Sequence, residues 1–258
     1  MGICLAVSNL TSMPGKAAQQ LSLANNRLEL QVTKFNPAKK TRNTPVEEFL
    51  ANIEKYKSSR KVRPVVTRSG HRATGVFPSI KSPVRGCKYE SLVERDFQKI
   101  LEVSSLVKRV ASHPYVLRLI AANGKVFHYT PDVEVRLEAH AVLVEVKGSY
   151  FLETYEQRQR LREIIQALYD AQIHYVVVLD SEIQPSGLQD ELEDLLDARP
   201  VVGRYRPGLN TALFDPLGSG VNNVELETKW QAAQAECDAL LTRLMRRDPG
   251  DLLPAEQR

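Results

Sequence analysis

The 258-residue sequence predicts an α/β protein with a mixed central sheet flanked by helices. Three observations carry that expectation. Residues 127–136 alternate, with Phe127, Tyr129, Val133 and Val135 set against His128, Thr130, Asp132, Glu134 and Arg136, which is the period of a strand with one polar face. Ala141 to Lys147 and His174 to Leu179 are apolar runs of strand length. Helical patterns over residues 89–101 and 153–172 interleave with these runs, giving the order helix, strands, helix, strand.

Taken in order, residues 1–40 are mixed in character. Thr44-Pro45-Val46-Glu47 has the form of a capping box with proline at the first helical position, and predicts a short helix to about Tyr56. Residues 57–64 form a basic connector, and residues 65–88, rich in Gly, Pro, Ser and Arg, are expected to cross the surface as loops. Leu92, Val93, Phe97, Ile100, Leu101 and Val103 mark the apolar stripe of the next helix, which would carry Glu90 and Glu94 on one face. A strand is expected around residues 115–120. In the run 141–147, Val142, Val144 and Val146 share one face, while Leu143, Glu145 and Lys147 share the other.

Beyond Pro185 an acidic helix is expected over residues 188–196, then loops or short strands over 199–223. Leu226, Trp230, Ala233, Cys237, Leu240 and Leu244 recur at alternating steps of four and three, a heptad seam on a helix over residues 224–246. The seam could dock on a partner. At about three heptads, packing into the chain's own C-terminal region is the favoured reading.

Charge is divided unevenly. Residues 1–88 hold 16 Lys and Arg against 4 acids, and residues 89–258 hold 19 against 27. A basic arm on an acidic body suits nucleic acid, because Lys and Arg displace counterions condensed on phosphates; a solvated tail is the plain alternative for residues 16–42. No run approaches a membrane span, no secretory leader is evident, and Met1 to Ala6 lacks the Ser or Thr of an acylation signal. Cys4, Cys87 and Cys237 are too few and too scattered for a disulfide framework or zinc site, so a reducing cytoplasm is expected.

The residues that carry chemistry are Glu94, Asp132, Glu145 and Lys147. Asp132 and Glu145 are spaced to sit on successive strands, and Glu145 and Lys147, two apart, would share a strand face. Ionised groups closing an apolar strand need partners, and a divalent cation is one. Asp132, Glu145 and the carbonyl of Val146, helped by Glu94, suit Mg²⁺ or Mn²⁺, which prefer oxygen ligands. Such an ion polarises a phosphodiester and acidifies its attacking water, while a lysine steadies the developing charge. The set therefore predicts a metal-dependent nuclease. An E-x-K pair can equally be a solvated strand edge, and Glu90 could take the place of Glu94. Gln157, Arg158, Arg160 and Arg162 on the following helix could meet phosphates or simply face water.

Val76-Phe77-Pro78-Ser79-Ile80-Lys81, Tyr89 to Phe97, Tyr129-Thr130-Pro131-Asp132 and Glu145-Val146-Lys147 occur in the order in which similar blocks occur in TnsA, the endonuclease subunit of heteromeric transposases. The resemblance covers about residues 62–183. It implies a restriction-endonuclease-like, PD-(D/E)XK core with Glu94, Asp132, Glu145 and Lys147 at the catalytic positions. It also implies cleavage of the non-transferred strand at the 5′ ends of a mobile element in a prokaryotic nucleoid. A TnsB-like DDE transposase would process the 3′ ends, and a TnsC-like AAA+ ATPase would act as regulator. Some relatives carry Gln in place of the second acid, whereas this chain has Glu145. The expected organisation is a basic arm with a short helix over residues 1–61, the nuclease domain over 62–184, and a small, mainly helical partner-contact region over 185–258, where no winged-helix pattern is evident. Arg63, Arg68, Arg72, Lys81 and Arg85 are the expected DNA-backbone contacts. The competing expectations are a stand-alone restriction or repair nuclease and a non-catalytic DNA-binding assembly module.

Overall fold

A computed structural model describes residues 44–66, 73–185, 187–197 and 224–248. The basic arm before residue 44, Arg68, Arg72 and the expected loops of 199–223 lie outside them. The elements in order are α1 (Val46–Tyr56), β1 (Gly75–Pro78), β2 (Gly86–Tyr89), α2 (Leu92–Val103), β3 (Arg109–Ser112), β4 (Leu117–Ile120), β5 (Val126–Tyr129), β6 (Val133–Arg136) and β7 (Ala141–Lys147). A 3-10 turn (Ser149–Leu152) leads to α3 (Tyr155–Asp170), β8 (Tyr175–Leu179), the single turn α4 (Asp180–Ile183), α5 (Leu188–Asp197) and α6 (Val224–Arg246).

The central sheet is mixed, in the order β3-β6-β7-β8. Its first two pairings are antiparallel, and β7 with β8 is parallel, α3 supplying the crossover that a parallel pair requires. Two antiparallel hairpins, β1-β2 and β4-β5, stand apart from it. The alternation of β7 decides the layers. Val142, Val144 and Val146 enter one core with Phe97, Ile100 and Leu101 of α2 and Leu192 of α5. Ala141 and Leu143 enter a second core with Phe49 and Ile53 of α1, Leu161 and Leu168 of α3, and Leu117 of β4. Burial on both faces explains the nearly unbroken apolar strands, and each fully buried large side chain contributes about 1.5–3 kcal/mol.

Several expectations are corrected. Residues 127–136 form two strands in two sheets rather than one strand. Pro131 has no N–H to donate to a ladder, and the chain turns there, so Asp132 stands at the corner before β6. Both faces of β6 are covered, and Glu134 is buried with its Oε1 2.6 Å from Arg136 Nε. Residues 75–89 make a hairpin where loops were expected, and residues 109–120 hold two strands. Pro45 is the N-cap residue of α1 rather than its first helical residue, and no side-chain cap hydrogen bond forms there.

The C-terminal helices α5 and α6 share the first core with α2. Trp230, Ala233, Cys237, Leu240 and Leu244 all point into that core, which is where the heptad seam is used. Asp238 of α6 accepts hydrogen bonds from the Ser104 hydroxyl (2.5 Å), the Ser105 N–H (2.9 Å) and the Ser105 hydroxyl (2.5 Å), fastening α6 to the end of α2.

The free edge of β8 is closed by an ion pair. Glu182 Oε2 accepts from the Leu179 N–H at 2.9 Å, Arg247 donates to the Val177 carbonyl, and Glu182 and Arg247 bind each other. Among the described residues β8 has no further neighbour strand, and the pair takes up the peptide groups that such a strand would bind, a device against edge-to-edge association. Arg247→Ala is expected to lower stability by about 1–3 kcal/mol, since it strands a carbonyl and a carboxylate, and to promote self-association. Urea unfolding and light scattering check this; an unchanged midpoint with no association would contradict it.

Candidate active site

The residues singled out from the sequence meet where β6 starts, β7 ends and α2 begins. The β6-β7 ladder stops at the pair Val133 and Val144. Val146 therefore has no strand partner on that side, and Asp132 Oδ2 accepts its N–H at 2.8 Å. The N–H and C=O of one residue in an extended strand face the same edge, so the Val146 carbonyl is turned to the same corner. Glu145 and Lys147, on one face of β7, approach to 2.5 Å between Oε1 and Nζ, and Nζ is 3.7 Å from Asp132 Oδ2. The other oxygen of Glu145, Oε2, accepts the hydroxyl of Tyr129 from β5. Beneath Lys147 lies Phe151, its ring centroid 5.4 Å from Nζ, an arrangement that favours the ammonium.

Glu94 enters from the first turn of α2. Its Oε2 accepts the Glu90 N–H at 2.9 Å and its Oε1 the Ser91 hydroxyl at 3.0 Å, while Ser91 Oγ caps the helix by accepting the Glu94 N–H at 3.2 Å. The positive end of the helix dipole faces these acids. Glu90 precedes the cap, so the two glutamates do not share a helical face as expected. Glu90 instead pairs with Arg63 at 2.5 Å. Glu94 is the acid whose charge is felt by Asp132 and Lys147.

Burial holds the Asp132 carboxyl well above its usual range; the neighbouring Glu145 and Glu94 push it further up, against Lys147 and the Val146 N–H. Burial likewise raises Glu94, over the opposing Glu90 N–H, Ser91 hydroxyl and Lys147. For Lys147, burial alone would lower the pKa, but Asp132, Glu145 and Glu94 outweigh it and hold the ammonium above its ordinary value. Burial, then Glu145, keeps the Tyr129 and Tyr175 phenols protonated.

Asp132 and Glu145 thus share one ammonium, with Glu94 close enough to be felt by it, and the corner is short of positive charge. Among the described residues, no three His, Cys, Asp or Glu side chains converge as a ready-made metal cage. Around Lys147 the corner offers oxygens: Asp132, Glu145, the Val146 carbonyl and, at the rim, Glu94. That set fits Mg²⁺, which keeps most of its waters and needs only one or two carboxylates, better than a metal that wants nitrogen or sulfur.

Two neighbours were not legible as site residues. His113 has φ 44°, donates its backbone N–H to the Asp132 carbonyl at 2.8 Å and brings Nε2 to 3.8 Å from Glu94 Oε2. Burial lowers its pKa, which favours a neutral ring. An isolated histidine carries no spacing signal. Tyr129 was visible as an apolar member of an alternating run and as the first residue of the Tyr129-Thr130-Pro131-Asp132 block, but its hydroxyl matters through a residue 16 positions away.

Of the expected DNA contacts among the described residues, Arg63 is the one that reaches this corner, with 70% of its side chain exposed. Lys81 donates to the Leu101 and Ser104 carbonyls, capping the far end of α2, roughly 15 Å along the helix from Glu94. Arg85 sits half-buried with φ 60° at the β1-β2 turn, its N–H donating to the Ser82 carbonyl at 3.0 Å. Arg158 donates to the Leu152 and Glu153 carbonyls at 2.6 and 2.8 Å, tying the 3-10 turn to α3 rather than facing outward. No protein-family model matches the chain, and no curated protein is significantly similar to it.

The crowding of acids at this corner costs stability. Because the folded pKa of Asp132 lies above the ordinary value of 3.8, its stability contribution is complete below that pH and is lost as pH rises toward the folded value. Asp132→Asn can still accept the Val146 N–H but removes the charge. In EDTA at about pH 7.5 the variant is expected to melt higher than wild type by about 2–4 °C, the equivalent of ~1 kcal/mol, and the gain should shrink toward about pH 5. Differential scanning calorimetry at both pH values reads it; a variant less stable than wild type at the higher pH contradicts the account.

Proposed function

We propose that the protein is a Mg²⁺-dependent DNA endonuclease with a PD-(D/E)XK core, acting as the TnsA-like subunit of a transposition complex. The observation that carries this is the meeting of Lys147 with Glu145 and Asp132 at 2.5 and 3.7 Å, at the end of two antiparallel strands beside the helix that bears Glu94. The order of helix, antiparallel strands, crossover helix and parallel strand supports the core assignment, and the sequence resemblance supports the transposition role. On this reading a TnsB-like DDE transposase supplies the choice of ends and a TnsC-like ATPase regulates the assembly.

A bound Mg²⁺ would polarise the scissile phosphate and acidify the attacking water. Asp132, Glu145 and the Val146 carbonyl would hold it, with Glu94 completing the negative rim. Lys147 orients the water and steadies the charge that develops on the phosphate as the water oxygen bonds to phosphorus and one P–O ester bond breaks. Arg63, already aimed by Glu90, meets a backbone phosphate and so fixes the DNA without reading its sequence.

Cleavage of a labelled element-end duplex at its 5′ end, with the transposase present, is expected to fall by about 10³-fold or more in Asp132→Ala and Lys147→Ala. Lys147→Ala should nonetheless bind Mn²⁺ more tightly than wild type, because the ammonium no longer competes for the carboxylates. Full cutting by either variant would end the nuclease reading, and vigorous cutting by wild type without the transposase would favour a stand-alone enzyme. Arg63→Ala is expected to weaken binding to all duplexes alike and to reduce the slope of log K against log salt by about 1; an unchanged slope would remove Arg63 from the interface.

A further inference from the structure

Glu145 has two oxygens, and they are held differently. Oε1 faces the Lys147 ammonium at 2.5 Å, and that side chain is 23% exposed on a flexible stem. Oε2 faces the Tyr129 hydroxyl. Tyr129 cannot easily turn away. It is buried, paired through β5 with Leu117, and its ring meets that of Tyr175 edge-on at 6.2 Å between centroids. The Tyr175 hydroxyl is 3.4 Å away, too far to compete as an acceptor for the one proton that Tyr129 can donate.

An arriving cation would therefore displace the more mobile partner. Lys147 would yield Oε1, while Oε2 stays with the phenol. Ca²⁺ gathers six to eight oxygens and draws on both oxygens of a carboxylate where it can, whereas Mg²⁺ is content with one oxygen from each of one or two carboxylates plus water. We propose that Tyr129 is a positioning residue that withholds one oxygen of Glu145 and so biases this corner toward Mg²⁺ over Ca²⁺, at the same time releasing Lys147 toward the phosphate. This deepens the metal-dependent reading of the site and rests on it.

The test uses the full chain and binding rather than cutting. Mn²⁺ binding is followed by electron paramagnetic resonance, and Mg²⁺ and Ca²⁺ are titrated as competitors, for wild type, Tyr129→Phe and Tyr175→Phe. Wild type is expected to prefer Mg²⁺. In Tyr129→Phe the ratio of Mg²⁺ to Ca²⁺ affinity should fall by about tenfold, the lower end of what outer-shell partners of metal ligands usually contribute. Tyr175→Phe keeps the Tyr129 contact and should leave the ratio within about twofold of wild type. An unchanged ratio in Tyr129→Phe, or an equal change in both variants, overturns the proposal while leaving the metal site standing. Mn²⁺ binding that Asp132→Asn and Glu145→Gln do not weaken overturns the metal site itself. Should Tyr129→Phe not fold, the wild-type protein labelled with ¹³C at the tyrosine ζ carbons decides the matter: the Tyr129 signal should hold its hydrogen-bonded position at saturating Mg²⁺, and a shift to that of a free phenol overturns the proposal.

Discussion

The bond between Asp132 and the Val146 N–H is the contact on which the site's geometry depends. It exists because the ladder between β6 and β7 ends early, leaving one strand donor without a partner. A carboxylate taking that donor is pinned beside the strand that carries Glu145 and Lys147. Two charges about 4 Å apart interact by roughly 4 kcal/mol at the effective dielectric of a protein's outer shell. Lys147 gains from Asp132 and Glu145 together, but the two acids repel each other, and Glu94 adds to the repulsion. One ammonium does not neutralise three carboxylates. The remainder is met with neutral donors: the Glu90 N–H, the Ser91 hydroxyl and the Tyr129 hydroxyl.

Such a corner survives because the rest of the chain is conventional. Apart from Glu134 the sheet is largely apolar on both faces, so most of its polar groups lie toward the ends of strands, where a layer of helix gives way to loop. The two cores fix β7 from opposite sides, and α5 and α6 add to the core that holds α2. Asp238 locks the C-terminal end of α2 while Lys81 caps its carbonyls, so the N-terminal end, with Glu94, is held at a set distance from β7. The two ends of α2 thus do different work. One absorbs a basic side chain for stability, and the other presents an acid to the corner.

Much of this was legible in the sequence where the signal is local. The run over β7, the apolar β8, the helix carrying Glu94 and the heptad spacing of α6 are patterns within one element, and they lie where the residues predict. The alternation over 127–136 misled because a period of two runs straight through Pro131, and only pairing shows that the halves belong to different sheets. The β1-β2 hairpin was hidden by its turn-forming residues. Lys81 was one more positive charge in a basic stretch until α2 folded beside it. Contacts between distant residues, such as Ser105 with Asp238, leave no trace in either segment alone, because a serine on a connector and an aspartate on a helix face are each unremarkable.

The Lys147 ammonium also ties this corner together. Lys147 occupies the carboxylates that, in the proposed nuclease, a cation would need, and its charge is held there by the same neighbours that raise its pKa. Displacing it requires something to receive the ammonium, and a DNA phosphate is the natural acceptor. Cation and DNA would then favour each other's binding, since each removes an obstacle to the other, a coupling that is necessarily reciprocal. In the proposed assembly, any partner that brings a phosphate to Lys147 raises the affinity for Mg²⁺ without touching the carboxylates, so restraint of the isolated subunit needs no separate inhibitory element: the lysine that serves the reaction also holds the acids until the DNA arrives.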